Sequence, residues 1–425
     1  MTEQKKKQFF LFLILSTVIL FVYHLASRVN SYNATMLAFS YKYGFISRGL
    51  IGTIYQGLDR ILPIDMMRYE VVNGFVLIVT ILYCISVLAF LHFILKRIYS
   101  YTSGKEQTWN PAWGLVIFFL IFAIPTFAGY YNFGRLDLYL MMISMLAIVL
   151  LIKDKALWLL ILLAGMGMMI HEGYVFMYVN IILVLLLYKG CHAKENERCE
   201  AGLSARTGSS YNRYLWIFLA VFFVVSCLFV YFHFFSHFGG KEVYDEIVEV
   251  ANGMSYKNKC HKDVVRAEIL GVDLTAEEWE YHLQNFIELP IFCLLMLPFI
   301  YILVLFFKNV FAQVSGNRMA QLKYGIVMVG ALTTLPLFIM KVDYGRWCFA
   351  VIMYYCLMVM AMMAMGDEIV WRAWQDVLQH IENKWTFARY LLVYAVFLTP
   401  LCDLSICKFS YLIYSLPDKL MKMLG

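Results

Sequence analysis

Long apolar runs broken by five short polar islands constrain this chain more than any single motif does. Runs such as Phe9 to Tyr23, Phe75 to Leu95 and Ile217 to Phe232 match, or nearly match, a hydrocarbon core of about 30 Å crossed at about 1.5 Å per residue. Apolar residues make up 62% of the 425 and charged residues only 15%, which is more apolar surface than a water-soluble globule buries. A transmembrane β-barrel would instead alternate apolar and polar positions in segments of about ten residues. The expected class is therefore all-α: a polytopic transmembrane helical bundle forming one integral domain over 1–425.

Hydropathy and loop charge place eleven spans, at roughly 9–27, 71–95, 113–131, 137–152, 156–170, 173–188, 214–235, 289–307, 324–340, 347–365 and 389–407. Lys5, Lys6 and Lys7 before the first run resemble the start of a signal peptide, but no convincing small-x-small cleavage pattern follows, so the run reads as a retained span. With the N-terminus in the cytoplasm, the inside loops hold 19 of the 35 Lys and Arg residues. That bias is modest, and the short loops 96–105, 153–155 and 308–323 decide the orientation, because short loops carry the positive-inside rule. The net charge of +6 is spread over many loops and argues against a nucleic-acid partner. The ten cysteines lie mostly in apolar runs and Cys260 stands alone in an external loop. Without a CxxC pair, neither a zinc site nor a disulfide framework is expected.

The stretch 156–188 is the weak joint of this topology. It is 33 apolar residues broken only by His171 and Glu172, and as one helix it would run about 50 Å, too long for one crossing. Two helices meeting at His171-Glu172 are preferred, with Gly165, Gly167 and Gly173 easing the break. The segment 28–70 is expected to lie partly in the membrane interface, with Tyr32, Tyr41, Tyr43 and Tyr55 at belt positions. The external loop 236–288 reads as two amphipathic helices. Val243, Ile247, Val250 and Met254 keep helical spacing in the first. Thr275 and Glu278 form a capping box for the second, which carries Trp279, Leu283 and Phe286, and Gly239, Gly240 and Gly253 punctuate them. Such a loop can act as a lid. Asn33-Ala34-Thr35 matches a glycosylation sequon, but three residues match by chance too often to carry weight.

In this topology all five islands (Tyr41 to Gly52, Asn132 to Asp137, His171-Glu172, 236–288 and Lys341 to Trp347) face the same, non-cytoplasmic side. Charged groups near a bilayer core are costly and mark function or internal pairing. Ser47 and Arg48 lie among Gly44, Gly49 and Gly52 and suit a phosphate; a snorkelling arginine is the structural alternative. Arg135 and Asp137 can form a local pair, or Asp137 can cap the helix that follows. His171 and Glu172 sit alone in an apolar hairpin, where burial is expected to raise the carboxyl pKa toward that of a general base. The structural alternative is a pair that locks the helix break. Asp343 and Arg346, three residues apart, can pair on one turn, and Tyr344 and Trp347 have flat faces suited to sugar rings or interfacial anchoring. The pattern is not HExxH, and GxSxG and Walker loops are absent, so no metal, nucleotide cofactor or serine nucleophile is expected.

Three outward arginines with carboxylates, a histidine and many aromatics suit glycosyl transfer from a lipid-linked pyrophosphate. Here the chain resembles the Wzy-type polymerases of bacterial O-antigen and capsule assembly. The resemblance rests on Arg135, Arg346, the 236–288 loop and the arrangement of ten to twelve spans without a soluble domain. It implies a bacterial inner-membrane protein that polymerises undecaprenyl-pyrophosphate-linked repeat units on the outer face, among membrane lipids and polysaccharide export proteins. In the implied mechanism Arg48, Arg135 and Arg346 stabilise the departing pyrophosphate. Glu172 or His171 removes the acceptor proton, Asp343 orients Arg346 or substitutes as base, and Asp137, Tyr344 and Trp347 contribute to substrate binding. Three rivals stay open. A GT-C type glycosyltransferase would use a polyprenyl-phosphate sugar, but the first external segment has no Asp before Asp59. A transporter of a lipid-linked or anionic solute needs polar groups reachable from both sides. A structural partner in an export complex would need no chemistry.

Overall fold

The computed structural model describes residues 28–59, 61–102, 133–200, 209–236, 240–272, 288–340 and 343–384. The expected spans 9–27, 113–131 and 389–407 lie outside these residues, as do Asn132, Gly239, Lys341 and the capping-box helix expected from Thr275. Among the described residues every regular element is helical. Short helices α1 (Ser31–Met36) and α2 (Gly49–Leu58) precede the long α3 (Tyr69–Thr102). The chain continues through α4 (Asp137–Lys153), α5 (Leu159–Ile170), the single turn α6 (Tyr174–Met177), α7 (Val179–Glu200) and α8 (Ser209–Phe234). Then come α9 (Lys241–Met254), α10 (Lys262–Leu270), α11 (Glu288–Gln313), α12 (Arg318–Val329), α13 (Leu335–Met340), α14 (Tyr344–Ala364) and α15 (Glu368–Lys384).

Five helical segments, Tyr69–Tyr101, Tyr211–Phe234, Met296–Gln313, Arg318–Ile339 and Tyr344–Ala364, are long and apolar enough to cross a membrane. This is consistent with an integral membrane protein. It does not reproduce all eleven expected spans: α4 and α5 are apolar but short, and the segment 318–339 passes through a 3-10 stretch at Gly330–Thr334. The segments differ in environment. Nearly every residue of α14 is buried, and it packs against α3, α7, α11 and α15. By contrast α8 leaves Trp216, Phe222, Phe223 and Phe234 exposed, the pattern of a helix whose outer face meets lipid.

The chain reverses at His171, as the two-helix reading of 156–188 requires. Helix α5 ends at Ile170, and His171 is extended at φ −164° and ψ 124°. Tyr174 then folds its ring over the last turn of α5. Only glycine fits beneath it, since a Cβ at Gly167 would lie 2.4 Å from the ring. Helix α7 runs back far enough for Lys189 Nζ to reach Leu151 O at 2.7 Å and Asp154 Oδ1 at 3.1 Å. Residues 151–154 precede α5, so α5 and α7 form a hairpin.

That second end of the bundle has its own polar group. Asp154 accepts from Lys189, from Tyr214 Oη at 2.8 Å, and from Arg213. Nearby, Asp367 Oδ2 accepts from Tyr188 and from Tyr324, the latter at 2.6 Å, while Oδ1 caps α15 through the amides of Ile369 and Val370.

The 236–288 loop follows expectation in its first helix. Helix α9 buries Ile247, Ala251 and Met254. The helix after it is α10, which begins thirteen residues before the expected cap at Thr275 and buries Val265 and Ile269. Asn33 of the sequon is buried and donates Nδ2 to Phe133 O at 2.9 Å, so its amide is committed to packing.

Candidate functional site

All five polar islands meet at one end of the bundle. Ser47 Oγ donates to Glu172, and Arg48 makes an ion pair with the same carboxylate. Arg48 Nη1 also lies 3.3 Å from Glu268 Oε1 on α10. Arg346 Nε donates to Asp137 Oδ1 at 2.8 Å, and its Nη2 lies 2.8 Å from Oδ2 as an ion pair. Asp343 Oδ2 lies 3.1 Å from Arg135 Nη2 and 3.5 Å from Arg346 Nη1. Lys42 pairs with Glu246 of α9.

The backbone explains how Arg48 reaches this position. Arg48 is left-handed, with φ 61° and ψ 5°, immediately before α2. A non-glycine residue in that region costs free energy and persists only where its surroundings hold it. What holds it is the seating of α2 against the preceding loop: a Cβ on Gly52 would lie 1.8 Å from Phe39 O, so this approach requires glycine. Gln56 Nε2 fastens the same contact by donating to Leu37 O and Ala38 O, both at 2.9 Å.

The sequence leaves two roles open for Asp137, a local pair with Arg135 or the cap of α4. Leu136 is the N-cap residue and no described side chain caps α4; Asp137 takes Arg346 as its ion-pair partner, with the charge of Arg135 also close by, and Arg135 pairs with Asp343. The reason is geometric. Asp137, in the first turn of α4, and Arg346, in the first turn of α14, meet where the two helices pack, and the charge-assisted bond from Nε to Oδ1 joins them. The expected Asp343–Arg346 contact is present. Asp343 thereby bridges two arginines, and its other oxygen, Oδ1, is buried without a hydrogen-bond partner among the described residues.

The expected behaviour of Glu172 is corrected. Burial acts to raise its carboxyl, but Arg48, His171 and the hydrogen bonds from Arg48 and Ser47 overcome it. The group is held well below the usual carboxylate range, so in this arrangement it is a weak base. His171 is pushed down mainly by burial and further by Arg48 and Arg346, against Glu172 and Asp137, and it stays neutral at physiological pH. Its Nδ1 accepts from the Gly173 amide at 2.9 Å, which places the proton on Nε2. His171 is thus a hydrogen-bond donor, and it feels charges from both arginine–carboxylate groups.

Tyr344 and Trp347 are close to the cluster but buried. Tyr344 stacks on Phe338 at 6.5 Å between centroids. Trp347 carries the Arg346 guanidinium 5.1 Å from its ring centroid, and its indole N–H has no hydrogen-bond partner. Glu268, which pairs with Arg48, was missed by sequence reading. It lies within the 236–288 island, where the spacing of apolar residues rather than the charges was the signal read. Among the described residues no three His, Cys, Asp or Glu side chains group to hold a metal ion.

The arrangement sets three arginines against four carboxylates in two mostly buried groups, Arg48 with Glu172 and Glu268, and Arg135 and Arg346 with Asp137 and Asp343. Both are costly to assemble from charged groups taken out of water. No family model, curated protein or solved structure matches the chain.

Proposed function

We propose that the protein performs glycosyl transfer at the non-cytoplasmic membrane face, joining undecaprenyl-pyrophosphate-linked oligosaccharide repeat units into surface polysaccharide. The observation that carries this reading is the meeting of Arg48, Arg135 and Arg346 with Glu172, Asp137 and Asp343 in two buried ion-pair groups at one end of an apolar bundle. Forked guanidinium groups suit the developing charge of a pyrophosphate leaving group. The long apolar faces beside them suit a polyprenyl chain.

In the proposed reaction the acceptor hydroxyl oxygen attacks the anomeric carbon of the donor sugar. The bond from that carbon to the pyrophosphate oxygen breaks, and polyprenyl pyrophosphate leaves toward the arginines. The acceptor proton goes to Glu172. This carboxylate is a weak base while Arg48 holds it. Once Arg48 turns to the phosphate, burial acts on Glu172 with less opposition and its proton affinity rises. His171, with its proton on Nε2, orients an oxygen rather than removing a proton. Asp343 holds Arg135 and Arg346 in place.

The rival that adds a single sugar from a polyprenyl-phosphate donor calls for an early carboxylate in the first external segment. Asp59, the first one there, accepts from the Met66 amide at 3.3 Å in a local turn, while that segment contributes Ser47 and Arg48 to the site. The test is the lipid-linked glycan profile of the native host with the chain deleted and then restored. Loss of long polymer with accumulation of one repeat unit is expected. A repeat unit short by one sugar would favour the rival, and an unchanged profile would remove both.

A further inference from the structure

A pyrophosphate approaching this site meets four carboxylates against three arginines, so its charge is opposed until a carboxylate leaves. The four differ in how they are held. Asp137 is almost fully buried in the first turn of α4 and paired with Arg346. Asp343 stands at the N-cap of α14, the central helix, and bridges two arginines. Glu172 is tied by both Ser47 and Arg48 at the hairpin turn. Glu268 is the one carried by the 236–288 loop, and its oxygen lies 3.3 Å from Arg48, the longer of that arginine's two carboxylate contacts.

The loop is seated by the buried side chains of Ile247, Ala251, Met254, Val265 and Ile269 and by a few polar and aromatic contacts. The His261 amide donates to Thr35 Oγ1 at 3.0 Å, the Tyr32 and His261 rings meet edge-on at 5.6 Å, and Lys42 pairs with Glu246 at the surface. These contacts join α9 and α10 to the segment that carries Arg48, and of the four carboxylates Glu268 is the one that belongs to the loop.

We infer that Glu268 is a placeholder anion: it occupies Arg48 in the resting protein and gives way to the pyrophosphate of the substrate. It is a positioning and selectivity residue, acting through Arg48. This rests on the proposed reading only for the identity of the anion. Its effect is to keep a buried arginine compensated when the site is empty, since an unpaired buried charge is strongly destabilising. It also makes entry conditional on a ligand with enough negative charge to displace a carboxylate.

The test uses the full chain in detergent and inorganic pyrophosphate as probe, measured by calorimetric titration, with thermal unfolding as the folding control. Glu268→Gln should bind pyrophosphate roughly ten-fold more tightly than wild type, the scale of one partly buried ion pair. Adding Arg48→Gln should abolish that gain. Equal affinity in wild type and Glu268→Gln, or tight binding that survives loss of Arg48, would overturn the inference. A second measurement needs no substitution: saturating pyrophosphate should speed maleimide labelling of Cys260, which lies between α9 and α10 and is a free thiol. An unchanged rate would count against release of the loop. No glycosyl transfer occurs in either assay, so their outcome and that of the glycan profile can be told apart.

Discussion

The two ends of the bundle hold charge in different ways. Around the α5–α6 turn, three arginines and four carboxylates from five separate chain segments gather in two groups, and Arg135, Arg346 and Asp137 are almost fully enclosed. At the opposite end one carboxylate, Asp154, gathers Lys189, Arg213 and Tyr214, and it remains about a third exposed. The second arrangement is what loop anchoring needs: a helix end, a few donors and access to water. The first exceeds that need. A helix break can be capped by a serine or an asparagine, whereas burying seven charged groups is tolerated where they do something that packing cannot.

The comparison can be broken most sharply at Arg346. Replacing it with methionine leaves Asp137 buried and unpaired, and should cost about 3–5 kcal/mol, read as a large fall in the thermal midpoint of the detergent-solubilised chain. The double variant Asp137→Leu, Arg346→Met should recover much of that loss without restoring polymer. Recovery of polymer would mean the pair is structural. Gly52→Ala forces a methyl group against Phe39 O and should cost about 1–3 kcal/mol by overpacking, with loss of activity because Arg48 is displaced.

At the other end, Asp154→Asn should cost only about 0.5–1 kcal/mol, since the carboxylate is partly exposed and solvent-screened, and polymer should persist. Burial acts to raise the Asp154 carboxyl, and hydrogen bonds from Tyr214, Lys189 and Arg213 with the charge of Lys189 pull it lower overall. A carboxylate whose folded value is depressed stabilises above its unfolded pKa, about 3.9. That contribution fades as pH falls through the lower folded value. Stability of wild type and Asp154→Asn should therefore differ by a constant amount from about pH 5 upward and converge in acid; a gap that persists in strong acid would show that the carboxylate is not its source. Smallest of all, Lys42→Ala removes a surface pair and should change stability by no more than about 0.5 kcal/mol; a larger loss would mean that this pair anchors the loop.

Much of this was legible in the residues. Uninterrupted apolar runs announced the helices, and charges stranded between them announced the cluster, because a stranded charge must find a partner or water. The break at His171-Glu172 could be argued from length alone. The pairings were less accessible. Local spacing suggests Asp343 with Arg346, and that contact exists, but whether Asp137 takes Arg135 or Arg346 depends on how α4 meets α14, which no local rule encodes. Burial alone suggested a raised Glu172 pKa. The reversal comes from Arg48, 124 residues away in the chain. Glu268 escaped notice for a related reason. It lies beside the buried Ile269 on an amphipathic helix, where a glutamate ordinarily faces solvent, and only the seating of the loop brings it to Arg48.

One side-by-side measurement tests the account most directly. Glu172→Gln and Asp154→Asn are expressed in the deletion host at equal membrane levels, and their lipid-linked and polymeric glycans are compared. Glu172→Gln should accumulate single repeat units without long polymer, while Asp154→Asn should give the wild-type distribution. Long polymer from Glu172→Gln at wild-type levels would contradict a catalytic role for the buried cluster.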